Sequence, residues 1–415
     1  MNKVAVIGGG AAGLFCAGKL KEKGAVVTIF EKNNILGKKL LITGKGRCNV
    51  TNDCTPDEVI KNIPRNGKFL YAAINALTPN DVKEFFESRG VMLKTERGKR
   101  VFPVSDKAHD IQRALVNYCA GCKIVKSAVT QIITQDGCVT GIKTDSGNYD
   151  FDSVVVCTGG LSYPATGSTG DGYKFARNAG HTVIEPMASL VPMECREECC
   201  PDMMGLSLKN VTLTLWDSEK NKKLYEEMGE MLFCHFGISG PLVLSASAHI
   251  GRNEKEREGL KNGRYRVKID LKPALSQEVL NTRILSDFEK YKNKNFANAL
   301  GDLLPAKMVP AVIEKTGIPP IKKVNEITRT ERLKLISVLK CFDLTVCGFR
   351  PIDEAIITSG GVKTSEIDPK TMQSKIIKNL YFAGEVIDVD AYTGGFNLQI
   401  AFSTATSAAN AIAQT

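Results

Sequence analysis

The chain has 415 residues, 43% hydrophobic and 24% charged, with a formal net charge of +10. That length exceeds one ordinary core, so two or three structural units are expected. No stretch approaches the roughly 20 apolar residues of a membrane helix, and nothing at the start reads as a basic, then apolar, export signal, so a cytoplasmic, membrane-free protein is expected.

Residues 3–7 form a short β-run, followed by Gly8-Gly9-Gly10-Ala11-Ala12-Gly13. Residues 14–23 have helical composition, Gly24 closes them, and 26–30 is a second strand ending at Glu31. Strand, glycine turn, helix, strand and acid is the order of a dinucleotide-binding unit. Gly8 turns the chain out of the strand, Gly10 leaves room for a pyrophosphate, and Gly13 allows close packing of helix on strand. The helix start, with Ala11 and Ala12, offers unpaired N–H groups to phosphate. Glu31 lies 18 residues past Gly13 and is placed to accept from ribose hydroxyls.

Residues 81–89 and 108–118 read as helices, and 123–131 and 141–144 as strands. Residues 152–157 are a β-branched run of the kind buried in a parallel sheet, ending at Thr158-Gly159-Gly160. From about Leu190 the texture changes, with strand-like alternation over 206–216 and 265–271 and a helical, basic stretch over 275–340. Residues 252–340 hold 20 Lys/Arg against 11 Asp/Glu, an excess read first as a solvated surface and second as a site for an anionic ligand. Strand-like stretches follow after Phe342 and over 376–382, with an alanine-rich helix over 401–412.

The expected fold is α/β, a Rossmann-like nucleotide domain of the two-dinucleotide-binding type with a β-barrel-like and a small helical insertion. Its boundaries are 1–189 with 356–415, 190–274 with 341–355, and 275–340. The nucleotide is read as FAD. The Thr158-Gly159-Gly160 turn and the late Ala383-Gly384-Glu385 segment have no counterpart need in a plain NAD domain. Gly394-Gly395 before the last helix brings backbone N–H groups close to a planar ring. The thirteen cysteines are read as free thiols without zinc-type spacing, and no metal is expected.

The stretch from Gly37 to Asn52, containing Gly44-Lys45-Gly46-Arg47-Cys48-Asn49, resembles the signature of the YhiN/BaiN-type NAD(P)/FAD-dependent oxidoreductases, which are similar to aminoacetone oxidase-like flavoproteins. The resemblance continues through Gly159–Pro164, Gly167–Gly172, His235–Pro241 and Ala383–Asp390. It implies that Gly44, Arg47, Cys48 and Asn49 line the flavin and that Asn397, Leu398 and Gln399 meet its pyrimidine edge. Lys39 and Arg47 suit phosphate or ring oxygens, and Val129 suits backbone contact beside the adenine. Lys32, Gly384, Glu385, Asp388, Gly395 and Phe396 complete the expected cofactor set. Lys45, Thr43 and Phe396 depart from the usual glycine, serine and tyrosine of the family pattern.

The resemblance implies hydride transfer from NAD(P)H, a transient co-substrate without a second GxGxxG of its own, to an electron-poor C=C or C=O bond such as a bile-acid enone. Tyr392 is the first candidate for the acid, followed by Tyr163 and His235. The alternatives are an O2-using amine or aminoketone oxidase and a tRNA-modifying flavoprotein. Within 252–340 the aromatics are Tyr265, Phe288, Tyr291 and Phe296, and glutamates interrupt the basic run, so a nucleic-acid partner is not favoured. A small-molecule substrate and a monomer are expected.

Overall fold

A computed structural model describes residues 1–251 and 253–414. Arg252, first residue of the basic stretch, and Thr415, last residue of the expected nucleotide domain, lie outside the described residues. The chain divides into two compact units, Met1–Ser189 with Pro351–Thr415, and Leu190–Arg350.

The first unit is built on β1 (Lys3–Ile7), α1 (Ala11–Glu22), β2 (Val26–Phe30), α2 (Ala108–Tyr118), β3 (Lys123–Val125), β4 (Ser153–Val156), β5 (Leu380–Phe382) and α3 (Phe396–Ile412). Among the described residues the five strands form one sheet in the order β5-β4-β1-β2-β3, every neighbouring pair parallel. Val4, Ala5 and Val6 of β1 and Val154, Val155 and Val156 of β4 are fully buried. Burial of both faces is why these strands read as continuous apolar runs. Leu14, Phe15, Cys16, Ala17 and Leu20 of α1 are equally buried, because α1 lies between the sheet and its own partners. Phe15 meets Phe85 at 4.7 Å, Phe402 of α3 at 5.0 Å and Tyr118 of α2 at 6.0 Å between ring centroids.

Two differences from the sequence reading bear on the site. The strand expected over 123–131 is broken into Lys123–Val125 and Val129–Gln135, because the residues between turn toward an open cavity. The last helix starts at Phe396 rather than 401, capped by Gly395 at φ 98°, a left-handed conformation that glycine adopts without strain.

In the second unit, six strands among the described residues close a barrel: Met193–Cys195, Gly237–Ser239, Lys222–Cys234, Ser207–Asp217, Tyr265–Asp270 and Phe342–Phe349. Inward side chains alternate along each strand. Leu213, Phe233, Val267, Ile269, Phe342 and Leu344 are fully buried. The helices Gln277–Lys290, Val309–Thr316 and Arg329–Lys340 add Leu280, Ile284, Val312, Leu335 and Leu339 to this same core. The helical segment is therefore a layer on the barrel rather than a body with a core of its own. No helix among the described residues is long and apolar enough to cross a membrane.

Candidate functional site

The turn between β1 and α1 has the shape that its glycines allow. Gly8 sits at φ 103°, and a Cβ there would lie 2.5 Å from the Cys157 carbonyl oxygen. A Cβ on Gly13 would come within 1.8 Å of the Gly8 carbonyl oxygen, so helix and strand pack at a distance that no side chain fits. Gly10 caps α1 with φ −83°, and a Cβ there would meet nothing within 4 Å. It faces a cavity with roughly 1300 Å³ of open space, mouth included.

Gly8, Gly9, Gly10, Ala11 and Ala12 form one wall of that cavity, so the amino end of α1 is turned toward it. Helix amino ends carry unpaired N–H groups and a partial positive charge. At the end of β2, Glu31 is buried. Its Oε2 accepts from the Gly9 N–H at 2.8 Å, and its Oε1 accepts from the Asn33 backbone N–H and from Asn33 Nδ2, both at 2.8 Å. A carboxylate has about four acceptor directions, which leaves room for one further donor from the cavity.

The other walls come from distant parts of the chain: Ser127, Ala128 and Val129; Thr158 and Gly159; Gly384 and Glu385; Asn397 and Leu398. Lys39 and Glu385, both on the wall, form an ion pair at 2.8 Å. Lys39 Nζ also donates to Ser162 Oγ at 2.7 Å, and Glu385 Oε1 accepts from Ser162 Oγ at 3.0 Å and from the Thr358 N–H at 2.9 Å. Gly160 packs behind this network, where a Cβ would lie 2.3 Å from Thr358 Oγ1. Lys32 and Asp171, also on the wall, pair at 2.5 Å. Burial pushes the Asp171 carboxyl up, but Lys32 and Thr169 outweigh it and hold it below its ordinary value. Burial raises the Cys157 thiol well above its usual range, so this wall cysteine stays protonated and is no nucleophile at neutral pH.

Of the residues singled out in the sequence, the cavity gathers Gly8, Gly10, Ala11, Ala12, Glu31, Lys32, Lys39, Val129, Thr158, Gly159, Gly384, Glu385, Asn397 and Leu398. The others stand behind it or away from it. The Arg47 guanidinium, expected to meet phosphate or ring oxygens, is committed to Glu96 at 2.8 and 3.1 Å and to Asp106 at 3.1 Å, and stacks on Phe102 at 4.0 Å. Cys48 is fully buried at φ 60°, its thiol pushed up to about 12 by burial. Gly44, at φ 56°, lies against the Asn49 backbone, and Asn49 Oδ1 is buried without a hydrogen-bond partner.

Gln399, expected at a ring edge, is fully buried. It accepts from Thr51 Oγ1 at 2.6 Å and donates to the Leu77 carbonyl at 2.7 Å, so it pins α3. Asn397 clasps the Ala391 backbone, accepting from its N–H and donating to its carbonyl, both at 2.9 Å. Asp388 accepts from Asn66 Nδ2 at 3.0 Å and lies 3.3 Å from Arg65. Gly395 and Phe396 begin α3, and Phe396 is buried.

Tyr163 is half-buried, with Lys39 Nζ 6.0 Å from its ring centre. Tyr392 is half-buried too, and its N–H donates to the Asn62 carbonyl at 3.0 Å. His235 belongs to the second unit, where it is exposed beside Phe236. Sequence reasoning missed Asn33 and Thr358, and gave Ser162, inside the Gly159–Pro164 motif, no role. Asn33, two residues past Glu31, had a local signal as a short polar side chain in the turn, whereas Thr358 had none.

The wall fits a bound dinucleotide of the FAD type. Beyond the glycine turn and Glu31, Thr158 Oγ1 on the wall is buried without a hydrogen-bond partner, a group that a polar ligand satisfies.

The family model described as the HI0933-like protein Rossmann domain matches residues 2–411. The chain belongs to this family. It is an FAD-dependent oxidoreductase with a Rossmann-type FAD domain. Over 99% of its length it is 33% identical to a ribosomal RNA dihydrouridine synthase of Haemophilus influenzae, 98% of which is covered. It is 28% identical to a 3-dehydro-bile acid delta(4,6)-reductase of Clostridium scindens, with all of both chains covered. Among solved structures, a 3-ketosteroid delta1-dehydrogenase from Sterolibacterium denitrificans matches with a TM-score of 0.53 at 12% identity over the full length of both chains, a likeness of fold alone.

Proposed function

We propose that this family member is a reductase that saturates a C=C bond conjugated to a carbonyl, with electrons from NADH or NADPH. The observation that carries the reading is the full-length relation to proteins of two names that share one chemistry. Dihydrouridine is uridine with the ring C=C bond next to a carbonyl reduced. A delta(4,6)-reductase of a 3-dehydro bile acid reduces C=C bonds conjugated to a ketone. Bound flavin supplies the hydride acceptor and donor for such a reaction.

The chain's own groups then have separable tasks. The N–H groups of Gly10, Ala11 and Ala12 hold phosphate at the amino end of α1, and Glu31 orients a ribose. Lys39, neutralised by Glu385 and steadied by Ser162, presents one N–H donor direction to a ligand oxygen. Tyr392 Oη is the first candidate to protonate the carbon beside the carbonyl, with Tyr163 the second.

A second reading places the conjugated bond in a uracil base of RNA. It is favoured by the charge of the second unit, since 252–340 carries nine more basic than acidic residues, and by the name of the Haemophilus influenzae relative. Phosphate contacts of such a surface lose affinity steeply with salt. The test supplies the reduced holoprotein with a 3-oxo-4,6-diene steroid acid and, separately, with a uridine-containing ribosomal RNA fragment. Gain of two hydrogens by either one supports the reductase and identifies its substrate class. Neither gaining hydrogen, while oxygen reoxidises the flavin rapidly, makes the protein an oxidase.

A further inference from the structure

The carboxyl end of α2 runs into Cys119-Ala120-Gly121-Cys122, none of which lines the cavity. The Cys122 N–H donates to the Cys119 carbonyl at 2.9 Å, so the four residues close a β-turn. The ends of such a turn lie within about 7 Å, and a disulfide spans Cα separations of roughly 4.4–6.8 Å. Both thiols are free and both aim at the same helix. Cys119 Sγ donates to the Leu14 carbonyl of α1 at 3.0 Å, and Cys122 Sγ lies 3.9 Å from the Ala17 carbonyl.

The two sulfurs are not equivalent. Cys119 is buried and Cys122 is partly exposed. Lys21 reaches from α1 into the turn, its Nζ donating to the Ala120 carbonyl at 2.8 Å and to the Tyr118 carbonyl at 3.4 Å. An ammonium is thereby fixed beside Cys122. Contact with the Cys119 thiol, helped by Lys21, outweighs burial and holds the Cys122 thiol below its ordinary value, whereas the same thiol contact and burial push Cys119 up. An accessible thiol next to a cation, backed by a buried partner, is the arrangement that makes one sulfur the attacker and the other the resolver.

We propose that Cys119 and Cys122 are a reversible dithiol–disulfide couple, oxidised by low-molecular-weight disulfides. The Cys122 thiolate attacks one sulfur of the small disulfide, forming a mixed disulfide and releasing one small thiolate. Cys119, on giving up its proton, attacks the Cys122 sulfur and expels the second small thiol. Two protein thiols become one disulfide, and one small disulfide becomes two thiols.

The test exposes the holoprotein to oxidised glutathione under native conditions, quenches with acid, and maps the cysteines by mass spectrometry. The expected result is an internal Cys119–Cys122 disulfide formed before any change at the buried Cys16, Cys48 or Cys157. Cys119→Ser retains a glutathione adduct on Cys122, whereas Cys122→Ser leaves Cys119 a thiol. Lys21→Gln slows the reaction on the order of threefold and Lys21→Arg restores it. The couple is overturned if Cys119 and Cys122 remain thiols while the exposed Cys341 becomes glutathionylated. Absence of an adduct on Cys122 in Cys119→Ser overturns it too. The wild-type map decides alone if the variants do not fold.

Discussion

Gly10 and Gly13 stand three residues apart in one turn and answer to different demands, which alanine separates. At Gly10 the added methyl enters open cavity at an ordinary φ. Gly10→Ala is expected to cost the unliganded fold about 1 kcal/mol or less while weakening FAD binding on the order of tenfold or more, read by fluorescence titration of the apoprotein. At Gly13 the methyl meets a backbone carbonyl that cannot yield without moving β1. Gly13→Ala is expected to destabilise the fold by about 1–3 kcal/mol or more, read by urea denaturation. Equal effects of the two substitutions on stability would contradict these assignments. The turn and Glu31 were legible because they belong to one β-α-β unit within the first 31 residues. The Lys39–Glu385 pair was half legible: both residues and Ser162 stood in motifs, but nothing in sequence joined them, and Thr358, 196 positions from Ser162, stood in none. The setting of Arg47 was less legible, for the opposite reason. A guanidinium beside glycines suggests an anion, and nothing local announced that Glu96 and Asp106 already neutralise it.

At the scale of elements, α1 is held on three sides, and Phe15 is the side chain common to them. Phe15→Ala removes contacts to Phe85, Phe402 and Tyr118 at once. It is expected to cost about 3–5 kcal/mol, with a lower denaturation midpoint and looser flavin retention. A loss under about 1 kcal/mol would mean that the cluster collapses to fill the space. The elements of the parallel sheet were readable because burial on both faces leaves an apolar run. The exceptions lie where function or a cap intervenes. The strand over 123–131 breaks so that Ser127 and Ala128 reach the cavity, and α3 starts early because Gly395 caps it. The helical layer of the second unit was visible as helices, but its sharing of the barrel core was not, since Leu280 and Leu335 meet barrel residues only in three dimensions.

For the whole molecule, buried thiols add a dependence on alkaline pH. Burial pushes Cys16 and Cys48 from an ordinary value of 9.0 up to about 12. Their folded values are raised, so the stability they contribute is complete below about 9 and is lost as pH rises toward about 12. The melting temperature is expected to fall across that window, and Cys16→Ala to flatten the fall; a flat wild-type profile would contradict it. The architecture of two units, an FAD-type domain closed by both chain regions and a barrel with helices upon it, follows from where the strand and helix textures change. Electron donor and acceptor are properties of the reaction and call for kinetics. The most direct measurement is anaerobic mixing of the flavin-loaded protein with NADH or NADPH, following the flavin's visible absorption band, then adding the unsaturated acceptor. The reductase account predicts rapid bleaching by one nucleotide and recovery of the band only when the conjugated acceptor arrives. A band that neither nucleotide bleaches would contradict it.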